Sequence, residues 1–462
     1  MALKSVLFIG LFVFCTVGAL IQPILGALGY VAHYIIGPER QWWEQPVQHL
    51  GVRYSYILAI ATAIGVALNY GKLRFGKKLL HRQELLLLLF VGFLWLLRFV
   101  SEPTGHYTIV DHPTLKLTKV MIFGLMLTHV VTDMKKLRAL VWTLVVCTLV
   151  LGLQAYTAAR PQGRLESVGG ADFAEANYLP AFLGAMLPLI GVLFLQTGWA
   201  GKLLCLGTGA FAVNAIILTR SRGALVGIAL GLIPAVFLAP KKLRLKVAAG
   251  LLVASLGTIY LTDAAFIGRM KSITLSSEER DVSSQTRLDL WETSLTMVKD
   301  HPLGVGPGNF FQVLGRYRPE LEGGDTHSTY FRCLTELGIP GFLFFLGICF
   351  SAVRTALRAL RSAAGIPPGT GAAIRLLCYG SMMALCTFLA VSLMITTLYT
   401  EALWWLLLLP VCLERAVANH AEGTENSLAK DAEAKAAVGD QAGARKGRRS
   451  SKPVLGRAVP SR

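Results

Sequence analysis

Apolar runs of about 16 to 20 residues recur along this chain between short polar or basic loops, and this pattern constrains the fold most tightly. About 20 apolar residues cross a hydrocarbon core as a helix, which satisfies every backbone polar group within the segment. Spans are expected near 6–36, 55–70, 85–100, 115–132, 137–156, 179–196, 203–218, 224–239, 245–260, 328–353, 376–396 and 402–417. The first run is too long for one ordinary span. It is either one long broken helix or a hairpin, with Pro23, Gly26 and Gly29 as candidate break points. It also continues well past a normal signal-peptide h-region, which argues against a cleaved signal. Composition agrees: 54% of the 462 residues are hydrophobic and 16% charged, with mean hydropathy +0.55. A soluble domain carries about 25% charged residues. An ordinary cytosolic enzyme, a disordered chain and a collagen-like chain are excluded. The expected fold is all-α, a polytopic membrane protein of about 12 transmembrane helices with one long external loop, 261–326, holding short amphipathic helices.

The formal net charge of +18 would point to nucleic acid in a soluble protein. Its distribution points to topology instead. With twelve spans and Lys4 on the cytoplasmic side, cytoplasmic loops hold 28 of the 45 Lys and Arg and the opposite loops hold 13. That asymmetry follows the positive-inside rule. The membrane domain is expected over 1–417. Residues 418–462, rich in Ala, Gly, Lys, Glu and Arg, read as a disordered basic cytoplasmic tail near anionic lipid, with no nucleic-acid role. The eight cysteines lie in or beside apolar runs without a C-x-x-C, and the histidines show no ligand spacing. Buried thiols are expected, with no disulfide framework and no zinc site.

The informative residues are arginines on the side that should lack them. Arg160 and Arg164 lie in one external loop, and Arg220 and Arg222 in the very short Leu-Thr-Arg-Ser-Arg-Gly turn between two spans. Arginine near membrane depth costs several kcal/mol without water, snorkelling or a partner. A snorkelling anchor is the ordinary alternative. Two guanidiniums within three residues, followed by Gly223 and Ala224 at a helix start, favour an anion site, because the planar fork matches phosphate oxygens. In the long loop, Ser283-Ser284-Gln285-Thr286 precedes a helical pattern whose apolar face is read as Leu288, Trp291, Leu295 and Val298. Arg287 falls in its first turn, against the helix dipole, so an anionic partner is expected. A salt bridge to Glu292 or Asp281 is the alternative.

His301-Pro302-Leu303-Gly304-Val305-Gly306-Pro307-Gly308-Asn309 forms a tight turn that is no P-loop, since neither Lys-Ser/Thr nor a βα unit accompanies it. A turn of this kind could approach a ligand. Asp325-Thr326-His327-Ser328-Thr329-Tyr330 then leads into an apolar run. With Asp325 or Thr326 as N-cap, His327 would occupy the first turn, where burial and the helix N-terminus favour a neutral imidazole able to accept a proton. A plain polar cap residue is the alternative. Glu336 lies about half a turn round the helix and is expected to be buried against another partner.

These pieces together resemble the O-antigen ligase and polymerase superfamily of membrane glycosyltransferases, including ligase-like members associated with exopolysaccharide or O-glycosylation systems. The resemblance rests on Arg164 … Asn177-Tyr178-Leu179-Pro180, Ser221-Arg222-Gly223-Ala224-Leu225, Arg287 … Trp291 … His301 to Asn309, and His327-Ser328-Thr329-Tyr330 … Glu336-Leu337-Gly338-Ile339-Pro340-Gly341. It is strongest over 160–355. It implies a GT-C-like helical enzyme of the bacterial inner membrane. That enzyme would transfer a glycan from an undecaprenyl-diphosphate carrier to a lipid, glycan or protein hydroxyl at the periplasmic face. Arg222 and Arg287 match the carrier-diphosphate binders and His327 the proposed base; Arg220 and Arg164 match positions near the donor. Such chemistry needs charge stabilisation on the departing diphosphate and one base for the acceptor hydroxyl. Single displacement inverts the anomeric carbon. With no D-x-D pair in the outer loops, the reaction is expected to be metal-independent and to need no cofactor. Polymerisation of lipid-linked repeats is the rival within this chemistry. A transporter or anion channel is the rival outside it, disfavoured because its site should lie near the midplane.

Overall fold

The computed structural model describes residues 3–41, 43–73, 79–102, 107–108, 111–160, 163–173, 177–261 and 282–423. Every regular element among them is helical. In chain order these are α1 (Leu3–Ile21), α2 (Pro23–Ile36), the one-turn α3 (Gln45–Gln48), α4 (Tyr54–Leu68), α5 (Arg82–Val100) and α6 (Pro113–Val130). There follow α7 (Met134–Thr157), α8 (Tyr178–Gln196), α9 (Trp199–Leu218), α10 (Arg222–Leu238), α11 (Arg244–Leu261), α12 (Val282–Asp300) and α13 (Phe310–Tyr317). The set ends with α14 (Thr329–Ser362), α15 (Pro368–Val391) and α16 over 401–423. Each expected span falls on one or two of these helices. Seven of the described helices are long and apolar enough to cross a membrane, and α4 and α10 are apolar but shorter. The protein is thus an all-α, multi-pass membrane protein, although fewer helices than the expected twelve meet that measure of length and composition. The tail beyond α16 and residues 262–281 of the long loop lie outside the described residues.

The first apolar run is a hairpin. Gln22 leaves helical geometry (φ −132°, ψ 96°), and Pro23, which lacks an N–H to lose, opens α2. A Cβ placed on Gly29 would lie 2.8 Å from Cys15 Cβ, and one on Gly26 2.6 Å from Ala19 Cβ. These contacts pair residues roughly symmetric about Gln22. Gly26 and Gly29 are therefore not breaks; they let the two arms and α4 approach. Asn69 at the end of α4 donates to the Leu20 carbonyl (2.9 Å), whereas Ser5 donates to the Trp43 carbonyl (2.6 Å) near the start of α4. Lys4 therefore lies at the opposite end of the bundle from the 70–81 loop, which corrects its assignment to the basic, cytoplasmic side.

The core is threaded by α8, α15 and α16, whose Phe182, Leu385, Trp404 and Leu407 are buried. Seven of the eight cysteines are buried and none is paired, as expected of small apolar side chains. At the end bearing the 70–81 loop, Arg415 grips Glu84 with both Nη atoms (2.8 and 3.0 Å) and joins α16 to α5. The opposite end gathers the segments around 37–53, 163–173, 219–221, 301–328 and 392–400, and holds the candidate site.

Candidate functional site

The site is built from four segments. The first is the turn between α9 and α10. Arg220 there has a left-handed backbone (φ +50°), Ser221 caps α10 by accepting the Ala224 N–H (3.3 Å), and Arg222 is the first helical residue. The second is 163–165, laced onto that turn. The Leu165 N–H donates to the Leu218 carbonyl (3.0 Å) and Arg164 Nε to the Thr219 carbonyl (2.9 Å). Asn177 ties the two together, its Oδ1 accepting from Arg164 Nη2 (2.9 Å) and Ser221 Oγ (3.0 Å). A Cβ on Gly163 would sit 3.0 Å from Arg220 Nη1.

The third segment, α12, begins at Val282, so Arg287 stands in its second turn rather than its first. Arg287 Nη1 lies 3.1 Å from where a Cβ on Gly223 would be, beside the start of α10. Its Nε is buried and makes no hydrogen bond among the described residues. Glu292 instead pairs with Arg318 (3.0 Å), and Asp281 lies outside the described residues. Burial, then repulsion from Arg222 and Arg164, lowers the Arg287 pKa, with Asp325 opposing. The buried face of α12 also differs from expectation. Leu290, Thr293, Ser294, Met297 and Val298 are buried, while Leu288 and Leu295 are 41% and 48% exposed. The reason is tertiary: Leu290 and Met297 pack on Phe310 and Leu314 of α13, a small core separate from the bundle.

The fourth segment is the 325–328 turn. Ser328, not Asp325 or Thr326, precedes the first residue of α14, and His327 lies outside the helix with a left-handed backbone (φ +46°). Arg220 and His327 are two of the three non-glycine residues with positive φ among the described residues. Such strain persists only where the surroundings over-determine it. They do so here. Trp291 Nε1 donates to the Thr326 carbonyl (2.8 Å), and the Thr329 N–H donates to the Ser392 and Ile395 carbonyls (2.9 and 3.0 Å). Asp325 Oδ1 accepts from Arg332 Nη2 (2.5 Å) and Thr396 Oγ1 (3.0 Å), leaving Oδ2 3.6 Å from His327 Nδ1. Burial pulls the Asp325 carboxyl up, but Arg332, His327 and Thr396 outweigh it and hold it below its ordinary range. Burial, then Arg287, Arg164 and Arg332, lowers the His327 pKa against the opposing pull of Asp325. A neutral imidazole results at neutral pH.

Glu336 is fully buried and accepts from Arg332 Nη1 (3.0 Å) and the Tyr399 hydroxyl (2.6 Å), a partner other than His327 as the helical geometry implied. The His301–Asn309 turn packs against α14. Gly338 breaks α14 (φ +68°, ψ −175°), and the carbonyls this frees at Thr335 and Glu336 accept the Val305 and Gly306 N–H groups (3.0 and 2.9 Å). Ile339 N–H returns a bond to the Pro302 carbonyl (2.9 Å). Gly304 and Gly338 cross backbone to backbone, with a Cβ on either landing within 2.5 Å of main-chain atoms.

The five residues singled out in the sequence thus meet at one end of the bundle. Electrostatic coupling links Arg287 to Arg222 and Arg164, and His327 to Arg287 and Arg164. Arg220 joins through Gly163. Sequence reasoning missed Asp325 and Arg332 as members, the first taken for a cap and the second for a span-end cation. No curated protein matches this sequence. Residues 207–346, which supply Arg220, Arg222, Arg287 and His327, match the O-antigen ligase family, and through that stretch the chain is O-antigen ligase-like.

Proposed function

We propose that the protein transfers a glycan from an undecaprenyl-diphosphate carrier to an acceptor hydroxyl, in one inverting displacement, at the periplasmic face of a bacterial inner membrane. The observation that carries this reading is the convergence of Arg164, Arg222 and Arg287 around the start of α10, on the same side as His327 of the 325–328 turn. Cations gathered against their own repulsion suit an anion of more than one charge, and a diphosphate is such an anion. Arg222 and Arg287 would bind it, with Arg220 and Arg164 completing the cradle. The same charges stabilise the diphosphate as the anomeric bond breaks, so the proposed reaction needs no metal. His327 takes the acceptor proton. The membrane domain of this reading ends with α16, and the basic tail follows it.

Polymerisation of lipid-linked repeats uses the same chemistry with a second carrier-linked glycan as acceptor. A transport pathway is less well supported, because the charged groups lie at one end of the bundle rather than at mid-depth. The test uses purified protein in lipid with an undecaprenyl-diphosphate-linked glycan and a panel of lipid, glycan and protein acceptors. Transfer that survives EDTA and is lost in His327→Ala and Arg287→Ala supports the reading, and the productive acceptor names the subclass. Undiminished transfer by His327→Ala overturns the role of the base.

A further inference from the structure

A base ringed by guanidiniums has a difficulty that the proposed reaction must overcome. Proton transfer to His327 creates an imidazolium facing Arg287 from α12, Arg164 from the 163–165 segment and Arg332 from α14, with Asp325 opposing them. Each arginine disfavours the transition state for deprotonating the acceptor.

The carboxylates behind His327 supply the compensation. Arg332, 3% exposed and stacked 4.3 and 4.1 Å from the rings of Phe310 and Phe311, holds Asp325 with one Nη and Glu336 with the other. Two carboxylates around one guanidinium leave one negative charge. Glu336 is turned away and tied to Tyr399, and Asp325 Oδ1 is occupied by Arg332 and Thr396. The atom left to face His327 is Asp325 Oδ2, 3.6 Å from Nδ1. Catalytic hydrogen bonds are often this long before substrate binds and tighten in the complex.

We infer that Asp325 is the positioning residue for His327, holding the proton on Nδ1 and leaving Nε2 to receive the acceptor proton. The inference rests on the reading of His327 as base. In the step so assisted, the acceptor O–H proton passes to Nε2 as the acceptor oxygen bonds the anomeric carbon. The bond from that carbon to the diphosphate oxygen breaks, and its electron pair leaves with the diphosphate. The imidazolium that remains is balanced by Asp325, which itself stays ionised. Arg332, Thr396 and Glu336 act on the reaction only through Asp325.

The test compares wild type, Asp325→Asn and His327→Ala in the transfer assay, each with its thermal midpoint and its affinity for undecaprenyl diphosphate measured. Asparagine keeps the shape and can still accept from Arg332, but it removes the charge opposite Nδ1. The expected result is a kcat loss of about 100-fold at unchanged acceptor KM and carrier affinity. The acid limb of kcat/KM should also move to lower pH, because Asp325, which raises the His327 pKa, has been neutralised. A purely structural role would move the thermal midpoint without that split. If Asp325→Asn does not fold, Thr396→Val carries the test, with a kcat loss of about threefold at unchanged KM expected for the lost hydrogen bond to Asp325. Wild-type kcat and pH profile in the variant used, with His327→Ala inactive, overturn the inference and leave the base reading standing. Full activity in His327→Ala overturns both.

Discussion

Gly304→Ala tests whether the site end is as rigid as its geometry implies. Gly304 has φ +91°, and a Cβ there would lie 2.4 Å from the Glu336 carbonyl oxygen and 2.5 Å from the Gly338 nitrogen. The backbone conformation alone costs a non-glycine residue about 1–2 kcal/mol. Relieving the clash separates the two segments and strains the bonds from Val305 and Gly306 to the Thr335 and Glu336 carbonyls. Each is worth about 1 kcal/mol net, and more where a buried carbonyl is left unpaired. The sum is about 3–5 kcal/mol. Gly51→Ala is the matched control, since Gly51 is also left-handed (φ +57°) but nothing lies within 4 Å of its missing Cβ. It should cost only the backbone term of about 1–2 kcal/mol. Thermal unfolding of both variants in the same detergent would show Gly304→Ala several degrees below Gly51→Ala. Equal midpoints would mean that the crossing yields without cost and does not fix the outer turn of α14.

Four further outcomes follow from the geometry. Arg287→Lys keeps a charge but loses the planar fork, and should weaken undecaprenyl-diphosphate binding about 10-fold or more, measured by calorimetry in nanodiscs. Transfer should be retained below the ordinary imidazole pKa of about 6.5 and fall only as pH drops through the lowered His327 value, because the neutral ring is the active form; a kcat/KM profile from pH 4 to 9 checks this. Arg415→Met strands Glu84, fully buried at the far end of the bundle, and should destabilise by about 3–5 kcal/mol, with Glu84→Gln in the same chain recovering most of it in thermal unfolding. A membrane-impermeant maleimide should reach cysteines placed at Lys4 and at Lys299 from one side of the membrane and a cysteine at Lys136 from the other.

Much of this was legible from residue types alone. Each apolar run became helix because in lipid no other open structure satisfies its backbone. The arginines and His327 stood out because charge is costly where those runs end. What could not be read were relations between distant segments. Asp325 looks like a helix cap until Arg332 and Thr396 are seen to claim it. The face of α12 was misread because its buried side is chosen by α13, not by its own periodicity. The hairpin at Gln22 needed Cys15 and Gly29 to meet, a pairing no local pattern encodes.

The crossing of Gly304 and Gly338 also bears on how such proteins can be recombined. The 301–309 turn and the 335–339 segment complete each other's hydrogen bonds across more than a full turn of α14, with no side chain mediating the fit. Anyone building chimeras from this family should treat the two as a single cassette. A junction between them would join halves whose backbones were never matched, whereas a junction after α14 passes the pair on intact.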